Sequence, residues 1–293
     1  MKIRNVLVIY KKSAYEIHVL EHKNPLFREM DSKKESIEER RLRLSHELHY
    51  ETVKEVKRVL EEKEVPYKAV YRSAKIDVKP YNLIVSVGGD GTFLEAARRV
   101  HRQAILGVNS DPGHSVGSFC AAGRGQFGKL LDSVLKRHWV ARKINRLELR
   151  VNGKVLPYRV LNDILFCHRN PAAMSRYWIR VGKLREEHRN SGLWVSTAAG
   201  STGAIKSAGG RVLPWESRQI QYWPRELYKW HGWHYRLTGG LLKEGQKLVI
   251  GSMIREGSLY LDGPHLSTRF SYGDTLEISN SPFPLNIILP KHR

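Results

Sequence analysis

The residues best suited to chemistry are three glycines around one acid, Gly88-Gly89-Asp90-Gly91. Glycines let a backbone approach a ligand closely. A helix that follows them adds free N–H groups and the positive end of its dipole, which together favour phosphate. The loop is not a P-loop, because no Gly-Lys-Ser/Thr follows. It also lacks the G-x-G-x-x-G pattern of dinucleotide-binding loops.

Where a P-loop has a lysine, this loop has Asp90. A carboxylate among phosphates is suited to hold a metal or to take a proton from an attacking hydroxyl. The alternative is that Asp90 only stabilises a tight turn, since Asp and Gly are common turn formers. On the local sequence alone both interpretations stay open.

A strand and a helix must position this loop. The apolar run Leu83–Val87 predicts a buried strand, and the spacing of the apolar residues from Phe93 to Val100 predicts a helix. Thr92 and Glu95 form a T-x-x-E capping box, so we expect the helix to start at Thr92. The glycines then lie at a strand-to-helix junction.

A second polar site interrupts the apolar strand predicted over Tyr158–Phe166, where Asn162 and Asp163 stand side by side. An unpaired buried polar group costs about 2–7 kcal/mol, so both side chains need partners. The hydroxyl groups of a ligand would serve, and so would the backbone of a neighbouring turn.

Small hydroxyl residues and glycines fill a third stretch, Ser196–Ala204, which leads to Ser207-Ala208-Gly209-Gly210. A strand there gives way to a short helix predicted near Ser201. The stretch suits either a pocket for a polar ligand or a plain tight connection.

The order of predicted elements indicates two kinds of domain. Up to Trp139 strands alternate with helices. One is a long helix from Ser36, its predicted cap, to about Lys63. Its predicted buried face carries Leu44, Leu48, Val53, Val56 and Leu60. This order predicts an α/β domain with a doubly wound parallel sheet, which binds ligands at the carboxyl ends of its strands. After Trp139 short strands predominate, and they predict a mostly-β domain.

Composition favours an anionic partner. The 293 residues carry 50 Lys and Arg against 29 Asp and Glu, a net charge of +21. That charge attracts nucleotides, polyphosphates and nucleic acid alike, so it does not identify the partner. Two cysteines exclude a disulfide scaffold, and the apolar segments are too short for a signal peptide or a membrane span. We therefore expect a cytoplasmic protein with no membrane partner.

Taken together, the motifs resemble those of the NAD kinase family in order and spacing. The glycine loop, the Asn-Asp pair, the Gly-Ser-Thr stretch and a closing Asp262-Gly263 carry the resemblance over about residues 80–290. Within the family the chain is most similar to plant-type NADH kinases, through Gly107–Pro112, Leu161–Leu165, Pro171–Arg176 and Ser191–Leu193. The glycine loop alone is shared with diacylglycerol and sphingosine kinases. A lipid kinase is therefore one alternative, and a basic nucleic-acid-binding protein is another.

The resemblance implies a two-domain kinase. Such an enzyme moves the γ-phosphate of ATP, with Mg²⁺ or another divalent metal, onto the adenosine 2′-hydroxyl of NADH or NAD⁺. It implies an α/β domain over 1–140, completed by 270–293, and a dinucleotide-binding β domain over 141–269. It also implies a homo-oligomer, to which a tryptophan cluster at Trp215, Trp223, Trp230 and Trp233 would contribute an interface.

The resemblance also implies roles for individual residues. Asp90 would be the general base, and no residue is assigned to a metal. The residues implied to bind ATP or the dinucleotide are Gly88, Gly89, Gly91, Thr92, Asn162, Asp163, Ser191, Thr202, Gly203 and Ser207.

Two positions differ from the commoner family pattern. Ser191 replaces an aspartate, and Gly203-Ala204 replaces Ala-Tyr. An uncharged Ser191 gives no attraction to the cationic ring of NAD⁺, so we expect NADH to be the preferred substrate.

Overall fold

The computed structural model describes residues 3–22, 37–136, 138–139, 141–229 and 234–289. They form two compact units. The first contains the described residues up to Arg142 together with 286–289, and the second contains 143–285. Within the described residues, no helix combines the length and apolar character needed to cross a lipid bilayer.

The first unit is built on a parallel sheet with the order β2-β1-β3-β4. Strand β5 pairs with the end of β4, and β19 pairs with its start through Asn286 and Ile287. The sheet strands are β1 Val6–Tyr10, β2 Tyr67–Tyr71, β3 Leu83–Val87, β4 Ala104–Asn109, β5 Cys120–Gly123 and β19 Leu285–Ile287. Its helices are α1 Ile37–Glu62, α2 Asp90–Ala97 and α3 Phe127–Leu135, with a π-helical segment at Glu16–Glu21.

Parallel strands that are covered on both faces read as continuous apolar runs. Strand β3 fits this rule, because all five of its residues are buried. Since the strands are parallel, their carboxyl ends all lie along the same side of the sheet, here called its carboxyl edge. The glycine loop follows β3 at that edge, and Ser110 follows β4.

Helix α1 differs from its prediction in one respect. Val53, Val56 and Leu60 are buried as expected, but Leu44 is 50% exposed. The first half of the helix instead turns Ser45 and His49 inward, where both make hydrogen bonds at the end of β4. Ser36, the predicted cap, lies outside the described residues.

The second unit consists of two antiparallel six-stranded sheets whose side chains share one apolar core. Their orders are β11-β10-β15-β18-β7-β8 and β14-β13-β12-β9-β16-β17. The strands of the first are β7 Leu147–Val151, β8 Lys154–Val160, β10 Ser175–Val181, β11 Leu184–Asn190, β15 Leu248–Ser252 and β18 Thr275–Asn280. Those of the second are β9 Asp163–His168, β12 Gly192–Ser196, β13 Gln221–Arg225, β14 Gly240–Leu241, β16 Gly257–Leu261 and β17 Ser267–Arg269. Strand β6, Arg142–Ile144, and a short helix α4, Ala204–Ser207, complete the elements.

The single strand predicted over Tyr158–Phe166 is in fact two strands. Strand β8 ends at Val160 and β9 begins at Asp163. The two strands belong to different sheets, so the chain must cross from one sheet to the other at Leu161 and Asn162. The Asn-Asp pair therefore lies at a crossover.

Candidate functional site

The glycine loop joins β3 to α2 in a tight turn. Gly88 has a φ of +152°, and its N–H donates to the Val108 carbonyl at 3.0 Å. A Cβ atom at Gly88 would lie 2.5 Å from Thr92 Oγ1, and one at Gly89 would lie 2.3 Å from Ser115 Oγ. A Cβ at Gly91 would meet nothing within 4 Å. The protein itself thus requires glycine at position 88, and a Cβ at Gly89 would displace the Ser115 hydroxyl, whereas Gly91 borders open space.

Helix α2 begins earlier than the capping box predicts. Gly89 is the N-cap, and its carbonyl accepts the N–H groups of Thr92 and Phe93 at 3.0 and 3.1 Å. Thr92 is buried in the first turn, and Glu95 pairs with Arg72 at 3.2 Å. The predicted start at Thr92 is therefore wrong, because the glycine turn already brings Asp90 into helical geometry. Asp90 and Gly91 lie at the end of the helix that favours anions.

The half-buried Asp90 carboxylate is oriented by a neighbouring loop. Its Oδ2 accepts the Ser118 N–H at 3.0 Å, and its Oδ1 accepts the Phe119 N–H at 2.9 Å. Each carboxylate oxygen can accept a further hydrogen bond. Sequence reasoning missed these donors, because backbone N–H groups carry no residue signature. The glycine at position 117 is the sequence signal of a constrained loop. Its φ is +64°, and a Cβ there would lie 2.3 Å from Asn109 Nδ2.

A polar network anchors that loop at the end of β4. Burial lowers the pKa of His49 to about 4, so the ring is neutral at pH 7. Its Nε2 donates to the Lys11 carbonyl at 2.8 Å, and its Nδ1 accepts from the Ser110 hydroxyl at 2.9 Å. The neighbouring Asp111 carboxylate accepts from Ser45 Oγ at 2.6 Å. These bonds fix the start of the loop that holds Asp90.

The Asn-Asp pair in the second unit is bonded to itself. Asn162 Nδ2 donates to Asp163 Oδ2 at 3.1 Å. Asp163 is 6% exposed, and burial, followed by the charge of Asp262, raises its pKa to about 7. Among the described residues no donor reaches Asn162 Oδ1 or Asp163 Oδ1. Both oxygens are thus available to the hydroxyl groups of a ligand.

The loop after β12 packs against this pair. Thr197 donates through Oγ1 to the Leu161 carbonyl at 2.5 Å and through N–H to the Asn162 carbonyl at 3.1 Å. A Cβ at Gly200 would lie 2.1 Å from the Asn162 carbonyl oxygen, and one at Gly203 would lie 3.7 Å from Asp163 Oδ2. Both glycines therefore lie beside the pair.

Three other predicted site residues, Thr202, Ser207 and Ser191, are not hydrogen-bonded to the Asn-Asp pair. Thr202 and Ser207 are exposed, and the helix expected near Ser201 begins at Ala204. Ser191 lies apart from Asn162 and Asp163, because Ser196, at the other end of β12, is the residue opposite Asp163. Five residues of strand span about 16 Å at about 3.3 Å per residue.

A cavity of about 390 Å³ lies on the outer face of the second sheet. Asp163 and Arg225 both line it, and the Ser191 N–H donates to the Arg225 carbonyl at 3.1 Å. The cavity thus connects the pair with the Ser191 end of β12. Its other lining residues are Leu165, Cys167, His168, Arg169, Pro171, Trp194, Tyr260, Gly263 and Pro264.

Comparison with known proteins decides the family. A "Probable NADH kinase" of Oryza sativa subsp. japonica is 36% identical over 268 residues, covering 84% of this chain and 82% of that protein. This chain belongs to the NAD kinase family. An "NADH kinase" of Arabidopsis thaliana is 32% identical over 273 residues, 83% of this chain and 84% of that protein. A search against family models gave no match.

Solved NAD kinases share the fold. A crystal structure of an Archaeoglobus fulgidus NAD kinase in complex with ATP matches with a TM-score of 0.71 at 22% identity, covering 98% of this chain and 94% of that one. Yeast NADH kinase complexed with NADH matches with a TM-score of 0.69 at 16% identity, covering 100% and 85%. The family resemblance and the predicted fold class are confirmed. As an NAD kinase family member, the protein is a phosphotransferase.

NAD kinase chemistry uses a divalent metal, and the donor set here fits one held mainly by nucleotide. Among the described residues no three His, Cys, Asp or Glu side chains are grouped to bind a metal. Mg²⁺ is commonly held by one or two carboxylates together with substrate phosphates. At the glycine loop the metal would be held by the phosphates of the nucleotide, with Asp90 adjacent to it.

Proposed function

We propose that this protein transfers the γ-phosphate of ATP to the adenosine 2′-hydroxyl of NADH, with NAD⁺ as a poorer substrate. The observation that carries the proposal is the placement of Asp90. An acid stands in the first turn of a helix, beside glycines and open space. That combination suits a base acting among phosphates.

Asp90 acts as the general base. Its carboxylate takes the proton of the 2′-hydroxyl, the hydroxyl oxygen bonds to the γ-phosphorus, and the bond from that phosphorus to the leaving ADP oxygen breaks. Phosphoryl transfer needs positioning and charge stabilisation more than covalent help. The Ser118 and Phe119 N–H groups fix the direction of the carboxylate, and Gly88, Gly89, Gly91 and Thr92 shape the phosphate site. When bound, Mg²⁺ supplies positive charge to the phosphates.

Asn162 and Asp163 hold the ribose hydroxyls of the dinucleotide. Each has an oxygen that is not engaged by the described residues, and Gly203 lies beside them without a side chain. Thr202, Gly203 and Ser207, on the neighbouring loop, contact the adenine or nicotinamide ring of the bound dinucleotide. The cavity that starts at Asp163 offers Trp194 and Tyr260 as apolar surface for one ring of the dinucleotide.

Charge in this cavity supports the preference for NADH. The oxidised nicotinamide ring is cationic and the reduced ring is neutral. Arg169 and Arg225 line the cavity, Ser191 adds no carboxylate, and the pKa of Asp163 is about 7. One close charge pair in a partly wet site is worth roughly 1–4 kcal/mol, which is enough for a tenfold preference.

Two further features are proposed with the activity. The cytoplasm suits the protein, because Cys120 and Cys167 are free thiols. A homo-oligomer would use the half-buried Trp215 of the predicted interface cluster. Trp230 and Trp233 of the predicted interface cluster lie outside the described residues, and Trp223 packs against Gly209 and Gly239 of its own unit.

The test is incubation with ATP, Mg²⁺ and NADH, followed by detection of the 2′-phosphorylated product by mass and by an NADPH-specific dehydrogenase. Asp90→Asn serves as the inactive control. Product from the parent and none above background from the control supports the assignment. Phosphorylation of diacylglycerol vesicles but not of NADH would overturn it in favour of a lipid kinase.

A further inference from the structure

Asp262 has contacts that no proposed role yet uses. It is 5% exposed and directly follows β16. Both of its carboxylate oxygens lie 3.1 Å from the Leu161 N–H, and Oδ1 accepts the Asn162 N–H at 2.6 Å. Its own N–H donates to the Asp163 carbonyl at 2.9 Å. The Asp262 side chain thus binds the backbone of two residues, and its own backbone binds a third, all about a hundred positions away.

The carboxylate of Asp262 contacts residues that belong to neither sheet of the second unit. Leu161 and Asn162 are the crossover between β8 and β9. Buried N–H groups left unbonded would be costly, and charge-assisted bonds to a carboxylate are stronger than neutral ones. Asp262 therefore determines the direction in which Asn162 and Asp163 leave the crossover.

The backbone of Asp262 is itself constrained. Its φ is +49°, in the left-handed region, which Asp and Asn tolerate better than most residues. The conformation points the carboxylate back at the crossover. Gly263 follows, also with a positive φ, of +97°. The Asp-Gly motif thus forms a turn that presents one carboxylate to two N–H groups.

Charge links the same residues. The negative charge of Asp262 is the second cause, after burial, of the raised pKa of Asp163. Arg146 is fully buried and interacts electrostatically with Asp262 and Arg159. Burial lowers the pKa of Arg146 to about 10, so it stays charged at neutral pH. Asp262 is the charged group that acts on Asp163, and Arg146 acts on Asp262.

We infer that Asp262 is a positioning residue that sets the Asn162–Asp163 pair for the dinucleotide and leaves ATP binding unaffected. The inference rests on the proposed NADH kinase activity. The residues it binds, Leu161, Asn162 and Asp163, belong to the second unit, whereas the glycine loop belongs to the first.

The test compares Asp262→Asn and Asp262→Gly with the parent, measuring KM for NADH and for ATP from pH 5.5 to 8.5. Both variants keep the positive φ, and each removes the carboxylate. The matched control is Asn152→Gly, because Asn152 also has a positive φ, of +50°, and accepts a backbone N–H, that of Thr275, at 2.8 Å. Thermal unfolding of each variant checks the fold.

We expect both Asp262 variants to raise KM for NADH about tenfold, equivalent to about 1.4 kcal/mol, with KM for ATP within twofold. In the parent, kcat/KM for NADH rises with pH as Asp163 ionises. In Asp262→Asn that rise moves to lower pH, because the neighbouring negative charge is gone. A general loss of stability would not move the pH profile.

Two results would overturn the inference while the kinase assignment stands. One is an unchanged KM for NADH in the Asp262 variants. The other is an equal rise in both KM values, or one matched by Asn152→Gly. A parent that phosphorylates no dinucleotide would instead refute the proposed function, so the two failures are distinguishable.

Discussion

The carboxylates of Asp90 and Asp163 lie in different surroundings. Asp90 is half-buried and accepts two backbone N–H groups, which fix the direction of its carboxylate. Asp163 is buried, beside a second negative charge, with a pKa raised to about 7. The first suits a base that works among phosphates, and the second suits an acceptor for ligand hydroxyls whose charge changes near neutral pH.

Replacing Asp90 by Asn removes the proton acceptor and keeps the shape of the side chain. A positioned general base contributes about 10²–10⁴-fold, so we expect kcat to fall by that factor. Turnover with ATP and NADH measures it, and circular dichroism verifies the fold. Near-normal turnover would mean that Asp90 is only a turn residue.

Replacing Asp163 by Asn should change how stability depends on pH. The pKa of Asp163 is about 7 when folded and near 3.8 when unfolded, so the folded chain binds more protons between these values. Stability therefore falls as pH rises from about 4 to 7, by at most about 4 kcal/mol, and then levels off. Asn does not titrate, so the variant should gain melting temperature relative to the parent between pH 5 and pH 8. A constant difference between the two proteins would contradict the raised pKa.

At the scale of elements, the turn between β3 and α2 contains one glycine, Gly91, that no contact within the protein requires. A Cβ at Gly91 would meet no atom within 4 Å, and Ala favours helix over Gly by up to about 1 kcal/mol. Gly91→Ala should therefore keep or raise the melting temperature. We expect it to raise KM for ATP severalfold, because phosphate needs that space. An unchanged KM would show that phosphate does not approach Gly91.

Much of this architecture could be predicted from the sequence. The sequence predicts strands over Val6–Tyr10, Leu83–Val87 and Leu147–Val151, each an apolar run or a clear alternation. Strands β1, β3 and β7 have these bounds. The glycine loop was also predicted at the carboxyl end of β3. Buried parallel strands and glycine turns have strong local signatures, which explains these successes.

Other elements lacked such a signature. Strand β11 has the sequence LREEHRN, which is polar because it lies at a sheet edge, and β13 contains a proline. The crossover at Asn162 was hidden because apolar residues continue on both sides of it. The role of Asp262 depends on contacts about a hundred residues distant, which spacing alone does not show.

At the scale of the whole molecule, the net charge of +21 acts on every anionic substrate. Salt shortens the reach of this field from about 10 Å at 0.1 M to about 3 Å at 1 M. We therefore expect KM for ATP and for NADH to rise a few-fold between these salt concentrations, with kcat little changed. A loss of several orders of magnitude would be the behaviour of a nucleic-acid-binding protein, and salt-independent KM values would exclude a role for the field.

The central claim is that this NAD kinase family member prefers the reduced dinucleotide. The most direct measurement is kcat/KM for NADH and for NAD⁺ under the same conditions, in the parent and in Ser191→Asp. NADH should exceed NAD⁺ by tenfold or more in the parent, and the introduced carboxylate should shift the ratio towards NAD⁺. A parent that uses NAD⁺ better than NADH would contradict the claim.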